Sequence, residues 1–310
     1  MTKFAYFNGA IRPIEEAQVS IMNLTFNYGI GCFGGLRGYW NPVREEINVF
    51  RIHDHYRRFL NSTKMLMAQF DYTVDQLVAI TLELLSCENW QENCYIRPLA
   101  YKANTTTGGV QLHDLEDAVA IFARPSGKTI QRSSGLNVGV SSWRRVDDTA
   151  IPARGKLIGS YVNSAFVKSD IKLSGFDEAI VLSQDGHVSE GSIANFFMVR
   201  DGVLLTPPVY ANSLEGITRR TVIELAQAEL GLRVAERDID RTELYVADEA
   251  FFCGTGIQMA PILSIDHRTV GKGQIGSITN ELMDLYFRVV TGQEAKYQRW
   301  LTPVPQLERV

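Results

Sequence analysis

The sequence lacks the features that mark several large classes of protein. Its four cysteines are scattered and form no C-x-x-C pair, so we interpret them as small buried side chains in a reducing compartment. No stretch approaches the roughly 18 apolar residues that a membrane span needs. No run of lysine and arginine indicates nucleic-acid binding. The histidines offer one His-x-His pair and no further metal-ligand spacing, so we expect no metal site.

What is present is typical of a globular protein. The chain has 310 residues, of which 45% are hydrophobic and 21% charged, which is enough for a substantial core and for two domains. The net charge of −4 is mild and unpatterned. Because the first residues contain no continuous apolar segment, we expect no signal peptide and a cytoplasmic protein.

The residue pattern predicts mixed α and β structure without a regular β-α-β alternation. Hairpin turns are expected at Asn8-Gly9, Asp185-Gly186 and Asp201-Gly202. Thr73-x-x-Gln76 is a capping box that predicts the start of a helix. Pro125-Ser126-Gly127 is the candidate interdomain linker.

Two further helices are predicted in the second half of the chain. One runs from about residue 159 to 173, with Ile158, Val162, Ala165 and Phe166 along one side and Gly175 as its stop. The other runs from about residue 218 to 230 and ends before a glycine. Both follow segments whose polar residues could carry chemistry.

Four segments hold candidate functional residues, although each also has an ordinary structural interpretation. Lys156 lies between a glycine-containing break and a helix. Glu190 is a carboxylate in a segment that otherwise reads as a buried strand, where an ionised group needs a cation or a strong donor. Gly216 precedes a helix whose first N–H groups can bind an anion. Gly254-Thr255-Gly256 can do the same as a backbone nest.

Together these segments resemble the class IV aminotransferases, the fold type IV enzymes that use pyridoxal 5′-phosphate (PLP). The family signature is matched by Glu190, Asn195-Phe196-Phe197, Thr206 and the run Leu214-Glu215-Gly216-Ile217-Thr218-Arg219. Within the family the chain is most similar to branched-chain amino acid aminotransferases. That likeness rests on Asn27-Tyr28-Gly29, Leu36-Arg37, Tyr95-Ile96-Arg97-Pro98, Ser141-Ser142-Trp143, Lys156 with Tyr161, Ala247-Asp248-Glu249 and Gly254-Thr255.

The resemblance implies an α+β, two-domain fold like that of D-amino acid aminotransferase. Residues 1–124 would form a small N-terminal α/β domain, 125–135 the linker, and 136–310 a larger, barrel-like PLP-binding domain with helices. The active site would lie between the domains of a homodimer. A loop of the second subunit would complete it, and Gly108-Gly109-Val110 is the candidate.

The resemblance also implies a role for each site residue. Lys156 would form the Schiff base and move the proton, and Glu190 would pair with the pyridinium nitrogen. The remaining cofactor contacts would come from Arg58, Tyr161, Ile217, Thr218 and Thr255. The substrate would be bound by Tyr28, Phe33, Arg37, Tyr95, Arg97 and Gly256. The implied reaction is reversible, ping-pong transfer of the amino group of leucine, isoleucine or valine to 2-oxoglutarate, as in branched-chain amino acid biosynthesis.

Three positions depart from the branched-chain pattern. Gly34 stands where a glutamate is usual, Gly256-Ile257 where two small residues are usual, and Arg124 where an aromatic residue is expected. The missing glutamate and the extra room expected at the pair Gly34-Gly35 suggest an alternative function. This alternative is an (R)-selective amine transaminase or a D-amino acid transaminase. A lyase similar to aminodeoxychorismate lyase and a non-enzymatic metabolite-binding protein are the other interpretations left open.

Overall fold

A computed structural model describes residues 1–105, 109–127 and 133–305. The chain forms two compact units. The first consists of Met1–Ile130, Gly155–Gly159 and Arg288–Val310, and the second of Gln131–Arg154 and Ser160–Phe287. The linker predicted at 125–135 stays a prediction, because residues 128–132 lie outside the described residues. No sequence pattern indicated that Gly155–Gly159, which contains Lys156, belongs to the first unit.

The described residues form two β-sheets and six α-helices. The strands are β1 Phe4–Phe7, β2 Ala10–Pro13, β3 Gly31–Phe33, β4 Leu36–Asn41, β5 Glu46–Phe50, β6 Cys94–Lys102, β7 Asp117–Pro125, β8 Leu136–Arg144, β9 Glu178–Leu182, β10 Val188–Gly191, β11 Asn195–Arg200, β12 Val203–Thr206, β13 Val234–Glu236, β14 Glu249–Gly254, β15 Gln258–Ile265, β16 Arg268–Thr269 and β17 Leu301–Pro303. The helices are α1 Leu24–Tyr28, α2 Ile52–Met65, α3 Val74–Glu88, α4 Tyr161–Leu173, α5 Ile217–Ala228 and α6 Ser277–Val290.

The first unit is built on an antiparallel sheet in the order β17-β5-β4-β6-β7-β1-β2, with β3 also paired to β6. Along β6 the side chains alternate between buried and half-buried, as expected for a strand with one face on the core. The long helices α2 and α3 pack on each other, and α3 packs on β1. Their buried aromatic residues, Tyr56 and Phe59 among them, fill the core on this side.

The second unit is built on a mixed sheet in the order β10-β9-β8-β15-β14-β11-β12-β13, with β16 paired to β15. Three of its pairings are parallel: β8 with β9, β8 with β15, and β12 with β13. Strands β9 and β10 are entirely buried, as is all but the last residue of β11. Helix α4 packs on β8 and β9, and α5 packs on β13 and β14. The strand that carries Glu190 is therefore held inside the core.

Most of the local predictions are confirmed. Asn8-Gly9 closes the hairpin of β1 and β2, and both residues have positive φ, as this type of turn requires. Asp185-Gly186 and Asp201-Gly202 likewise join the antiparallel pairs β9–β10 and β11–β12. Thr73 and Gln76 form both hydrogen bonds of the capping box at the start of α3. The mixed α and β fold is also confirmed.

The predicted buried face of α4 is wrong. Val162, Ala165 and Phe166 are exposed, whereas Ser164, Val167 and Ile171 are buried. Apolar residues occur on both sides of this short helix, so their spacing alone did not select the side that faces the sheet. The exposed Phe166 instead stacks on the ring of Trp143, with ring centroids 4.9 Å apart. Gly175, with φ of +86°, does follow the end of the helix as predicted.

Candidate active site

Lys156 is held by its backbone against strand β3 and helix α2. Its N–H donates to the hydroxyl of Ser62 at 3.1 Å, and its carbonyl accepts from the N–H of Phe33 at 3.0 Å. Two residues on, Ile158 N–H donates to the carbonyl of Gly31 at 2.8 Å. The segment therefore lies along β3 like a short additional strand. The Lys156 side chain is half-buried, and its Nζ lies 5.0 Å from the centroid of the Phe33 ring.

Gly155 allows this arrangement without movement of its neighbours. A Cβ at this position would lie 2.9 Å from the sulfur of Met65, closer than carbon and sulfur can pack without movement. The small residue that the sequence places before Lys156 thus lets the lysine segment approach α2. Ser62, which fixes the backbone of Lys156, was missed by sequence reasoning because its partner lies 94 residues away.

Helix α2 brings positive charge close to Lys156. His55 and Arg58 are three residues apart, on one side of the helix. Burial lowers the pKa of His55, and the charges of Arg58, Arg51 and Lys156 lower it further. Arg58 and Lys156 thus both contribute positive charge around His55, which suits a bound phosphate group.

Four of the predicted substrate-binding residues lie close together in the first unit. The Arg97 guanidinium stacks 4.3 Å from the centroid of the Phe33 ring and donates to the Tyr95 hydroxyl at 3.1 Å. Arg37 lies directly opposite Tyr95 in the pairing of β4 and β6. Arg97 Nε is buried and has no hydrogen-bond partner among the described residues. Tyr28, at the end of α1, is instead 55% exposed.

The glycine pair Gly34-Gly35 is not roomier than a pair with side chains, and that expectation is wrong. A Cβ at Gly34 would lie 2.6 Å from Cγ of Pro98, and a Cβ at Gly35 would overlap the Tyr95 hydroxyl. The volume that the missing side chains would occupy is filled by these two neighbours. Gly35 in particular gives the Tyr95 ring the space in which its hydroxyl meets Arg97.

The candidate loop of a second subunit can be followed only in part. Gly108 lies outside the described residues, whereas Gly109 and Val110 are described and exposed, Val110 by 57%. Gly109 has φ of +85°, the left-handed region that favours glycine.

In the second unit, Glu190 is a buried carboxylate with three groups around it. Arg145 Nη2 lies 3.0 Å from one carboxylate oxygen. The other oxygen accepts from the Asn195 side-chain amide and the Leu214 N–H, both at 3.2 Å. Only 5% of the Glu190 side chain and 11% of the Arg145 side chain are exposed. An ion pair in such surroundings stabilises the ionised form of the carboxylate.

Arg145 is a second candidate site residue that sequence reasoning missed. It directly follows strand β8, and its N–H donates to the Leu182 carbonyl of β9. Two consecutive arginines at the end of a strand were the available signal, but the sequence does not indicate which of them turns inward. The structure buries Arg145 and exposes Arg144.

Helix α5 begins at a backbone site suited to an anion. Gly216 precedes it with extended backbone and no side-chain cap, and the first turn carries no acidic residue. Ile217 and Thr218, the predicted phosphate ligands, are its first two residues and are buried. First-turn N–H groups have no partner within a helix, and they lie at the positive end of its dipole. This end of α5 can therefore hold a phosphate.

Asn195 links the start of α5 to Glu190. Its amide nitrogen donates both to Glu190 and to the Leu214 carbonyl, the latter at 2.9 Å. A Cβ at Gly216 would overlap the Asn195 amide oxygen. Gly216 is therefore needed because Asn195 occupies the place of its side chain.

Tyr161, Thr255 and Gly256 also belong to the second unit. Tyr161 is the first residue of α4, and Thr255 and Gly256 lie in the turn between β14 and β15. Gly256 is exposed, and a Cβ there would meet nothing within 4 Å. The open turn leaves this backbone accessible to a small ligand.

None of the helices in the described part of the chain has the length and apolar character that crossing a bilayer requires. No cluster of three or more His, Cys, Asp or Glu side chains within residues 1–105, 109–127 and 133–305 could hold a metal ion.

Comparison with known proteins identifies the family. The model for amino-transferase class IV matches residues 31–265. A probable branched-chain-amino-acid aminotransferase of Aquifex aeolicus is 43% identical over 97% of this chain and 96% of its own. The branched-chain aminotransferase of Thermoproteus uzoniensis, solved with norvaline, is 41% identical with a TM-score of 0.92 and covers 98% of this chain and 100% of its own. The branched-chain amino acid aminotransferase of Thermobaculum terrenum, solved in its PLP form, is 38% identical with a TM-score of 0.94. The match covers 98% of this chain and 99% of that chain. The predicted fold and enzyme class are confirmed, and the chain belongs to the class IV aminotransferases.

Proposed function

We propose that this aminotransferase uses PLP to transfer the amino group of leucine, isoleucine or valine to 2-oxoglutarate. The observation that carries the proposal is the extent of similarity: relatives that match over nearly the whole chain are named branched-chain aminotransferases. The same names do not favour the amine, D-amino acid or lyase alternatives. The filled space beside Gly34 and Gly35 removes one of the two arguments for the amine alternative.

The residues present fit the cofactor. The ring nitrogen needs an anionic partner, and Glu190 is buried with Arg145 at 3.0 Å, which keeps it ionised. The phosphate needs donors, and the start of α5 has no acidic residue in its first turn. In this proposal Arg58 and Thr255 add to those donors, and Tyr161 hydrogen-bonds the ring oxygen.

The bound cofactor supplies an electron-withdrawing ring that stores the electron pair left when the substrate Cα loses its proton. Lys156 would hold the cofactor covalently through Nζ, and the same nitrogen would take up and return the proton of the substrate Cα. Glu190 would hold a proton on the ring nitrogen, with Arg145 and two N–H donors beside its carboxylate.

In this proposal different groups hold the side chain and the α-carboxylate of the substrate. Phe33 and Tyr95 offer apolar ring surface to an aliphatic side chain. The exposed turn at Gly256 offers N–H groups to the α-carboxylate, and Arg37 and Arg97 add positive charge. We further propose that the enzyme is a homodimer in which the exposed Tyr28 and the residues around Gly109 and Val110 reach the site of the second subunit.

Half-reaction spectra test the proposed function. Purified yellow enzyme is mixed in turn with L-leucine, L-valine, D-alanine and (R)-1-phenylethylamine. We expect rapid conversion to the pyridoxamine form with the first two and slow or no conversion with the others. Conversion by the (R)-amine alone, or by none of the four, would contradict the proposal.

A lysine pair tests the assigned role of Lys156. Lys156→Ala should lower the half-reaction rate on the order of 1,000-fold or more, the range attributed to a positioned proton-transfer group. Lys172→Ala is the matched control, because Lys172 is 53% exposed and pairs with Asp177 at the surface. Borohydride reduction and peptide mapping should place the cofactor label on the peptide containing Lys156.

A further inference from the structure

A row of side chains crosses the first sheet beside the proposed substrate-binding residues. In the antiparallel pairings, Tyr95 lies opposite Arg37 on one side and opposite Arg124 on the other. Directly opposed residues project from the same face of a sheet. Arg97, two residues along β6 from Tyr95, projects from that face as well. Three arginines therefore surround one tyrosine.

Two of these arginines are directed at the same ring. The guanidinium carbon of Arg97 lies 5.3 Å from the Tyr95 ring centroid, and that of Arg124 lies 5.4 Å from it. Among the described residues, no carboxylate forms an ion pair with either arginine. Arg97 Nε is in addition buried without an acceptor. Like charges in a partly buried setting repel each other, so this arrangement favours an anionic ligand.

Gly34 does not contribute to this face. A Cβ at Gly34 would lie 2.6 Å from Cγ of Pro98, and Pro98, which is adjacent to Arg97 in β6, projects from the opposite face of the sheet. The positive charge on the face of Tyr95 therefore comes from Arg37, Arg97 and Arg124.

We propose that Arg124 is a specificity-determining residue that binds the distal carboxylate of a dicarboxylic substrate, a 2-oxo diacid or its amino acid. This inference rests on the proposed function, in which the α-carboxylate is bound elsewhere and Arg97 is already part of the pocket. A guanidinium can bind a carboxylate through two parallel hydrogen bonds. Aliphatic substrates carry no second carboxylate. Arg124 therefore acts on the half-reaction of the dicarboxylic substrate and not on that of the aliphatic amino acid.

The test compares the two half-reactions in Arg124→Gln, Arg124→Lys and the control Arg44→Gln. Arg44 is a surface arginine with 61% of its side chain exposed. Arg124→Gln should lower the half-reaction efficiency with L-glutamate on the order of tenfold, as expected for one charge-assisted hydrogen bond. Its efficiency with L-leucine should stay within about twofold, since an exposed substitution has little effect on folding. Inhibition by glutarate should weaken in parallel, and inhibition by 4-methylpentanoate should not.

The outcomes separate this inference from the proposed function. Arg124→Lys, which keeps the charge, should retain most of the efficiency with L-glutamate, and Arg44→Gln should behave as wild type. Equal losses with both amino acids in Arg124→Gln would assign Arg124 a purely structural role and overturn the inference. Wild-type behaviour of Arg124→Gln with L-glutamate and glutarate would overturn it too. If the wild-type enzyme reacts with neither L-leucine nor L-glutamate, the proposed function itself fails.

Discussion

At the scale of single residues, the ion pair of Glu190 and Arg145 has a structural task, and the proposed function gives it a chemical one as well. Each partner makes burial of the other tolerable, because an unpaired charge in this environment would be costly. The proposed reaction uses the same carboxylate to hold the proton on the cofactor. Stability and catalysis should therefore respond differently when the pair is altered one partner at a time.

Glu190→Gln should destabilise the cofactor-free protein by about 3 kcal/mol, because it leaves the buried Arg145 without its counter-charge. Urea unfolding of the apo form measures this free energy without any contribution from bound PLP. Glu16→Gln, at a 57% exposed side chain, is the control and should change stability by less than about 0.5 kcal/mol. Equal stability of Glu190→Gln and wild type would mean that the pair does not hold the fold.

A double variant separates the two tasks. Glu190→Leu combined with Arg145→Met removes both charges and should recover part of the lost stability, since apolar replacements of buried ion pairs are often neutral. The half-reaction with L-leucine should stay slow on the order of 100-fold or more, the lower range for loss of a proton-transfer contribution. Recovery of the rate together with stability would contradict the role of Glu190.

At the scale of secondary-structure elements, the start of α5 depends on a glycine that is not used for its backbone freedom. Gly216 has φ of −69° and ψ of 134°, which any residue can adopt. What excludes a side chain is Asn195, whose amide oxygen occupies that position. The helix start and the Glu190 strand are thereby positioned by one amide.

Gly216→Ala should raise the dissociation constant of PLP on the order of tenfold, because Asn195 must move away from both Leu214 and Glu190 and such overpacking costs about 1–3 kcal/mol. Titration of the apo protein with PLP, followed by absorbance, measures this. Gly159→Ala is the matched control, because a Cβ there comes no closer than 3.6 Å to the Gly29 carbonyl oxygen. Unchanged PLP affinity in Gly216→Ala would contradict the proposed role of this helix start.

Turns and helix starts were predictable where residues next to each other in the sequence determine their geometry. The capping box at Thr73 and the Asp-Gly turns specify their geometry within a few residues, and the structure has them as predicted. The face of α4 was not predictable, because the sheet on which it packs selects Val167 and Ile171 over the equally apolar Val162 and Phe166. Both faces of α4 carry apolar residues, so tertiary packing decided which face is buried.

At the scale of the whole molecule, the sequence did not reveal which segments join to form each unit. Lys156 follows strand β8 of the second unit by a dozen residues, yet Gly155–Gly159 belongs to the first. Its partners Ser62 and Phe33 lie about a hundred residues earlier in the chain. Pairings of such long range leave no periodic signal, so the resemblance to a family identified Lys156 where local patterns did not.

The exposed apolar side chains around α1 lead to a prediction about assembly. Ile21 is 80% exposed, Phe26 71% and Tyr28 55%. A patch of this kind on a folded unit is typical of an interaction surface. The sequence resemblance predicts a homodimer, and these residues are the surface on which we expect a second copy to bind.

Ile21→Asp combined with Phe26→Asp should therefore convert a dimer of about twice the 34.7 kDa chain mass into a monomer, because burying an unpaired carboxylate in an interface costs several kcal/mol. Light scattering coupled to size-exclusion chromatography measures the mass. Val43→Asp is the control, since Val43 is 91% exposed in the turn between β4 and β5.

If a second subunit completes the active site, the monomeric variant should lose at least about tenfold in leucine turnover while it keeps its far-UV circular dichroism. A double variant that stays dimeric would place the interface elsewhere, and a fully active monomer would show that one chain is sufficient for the reaction.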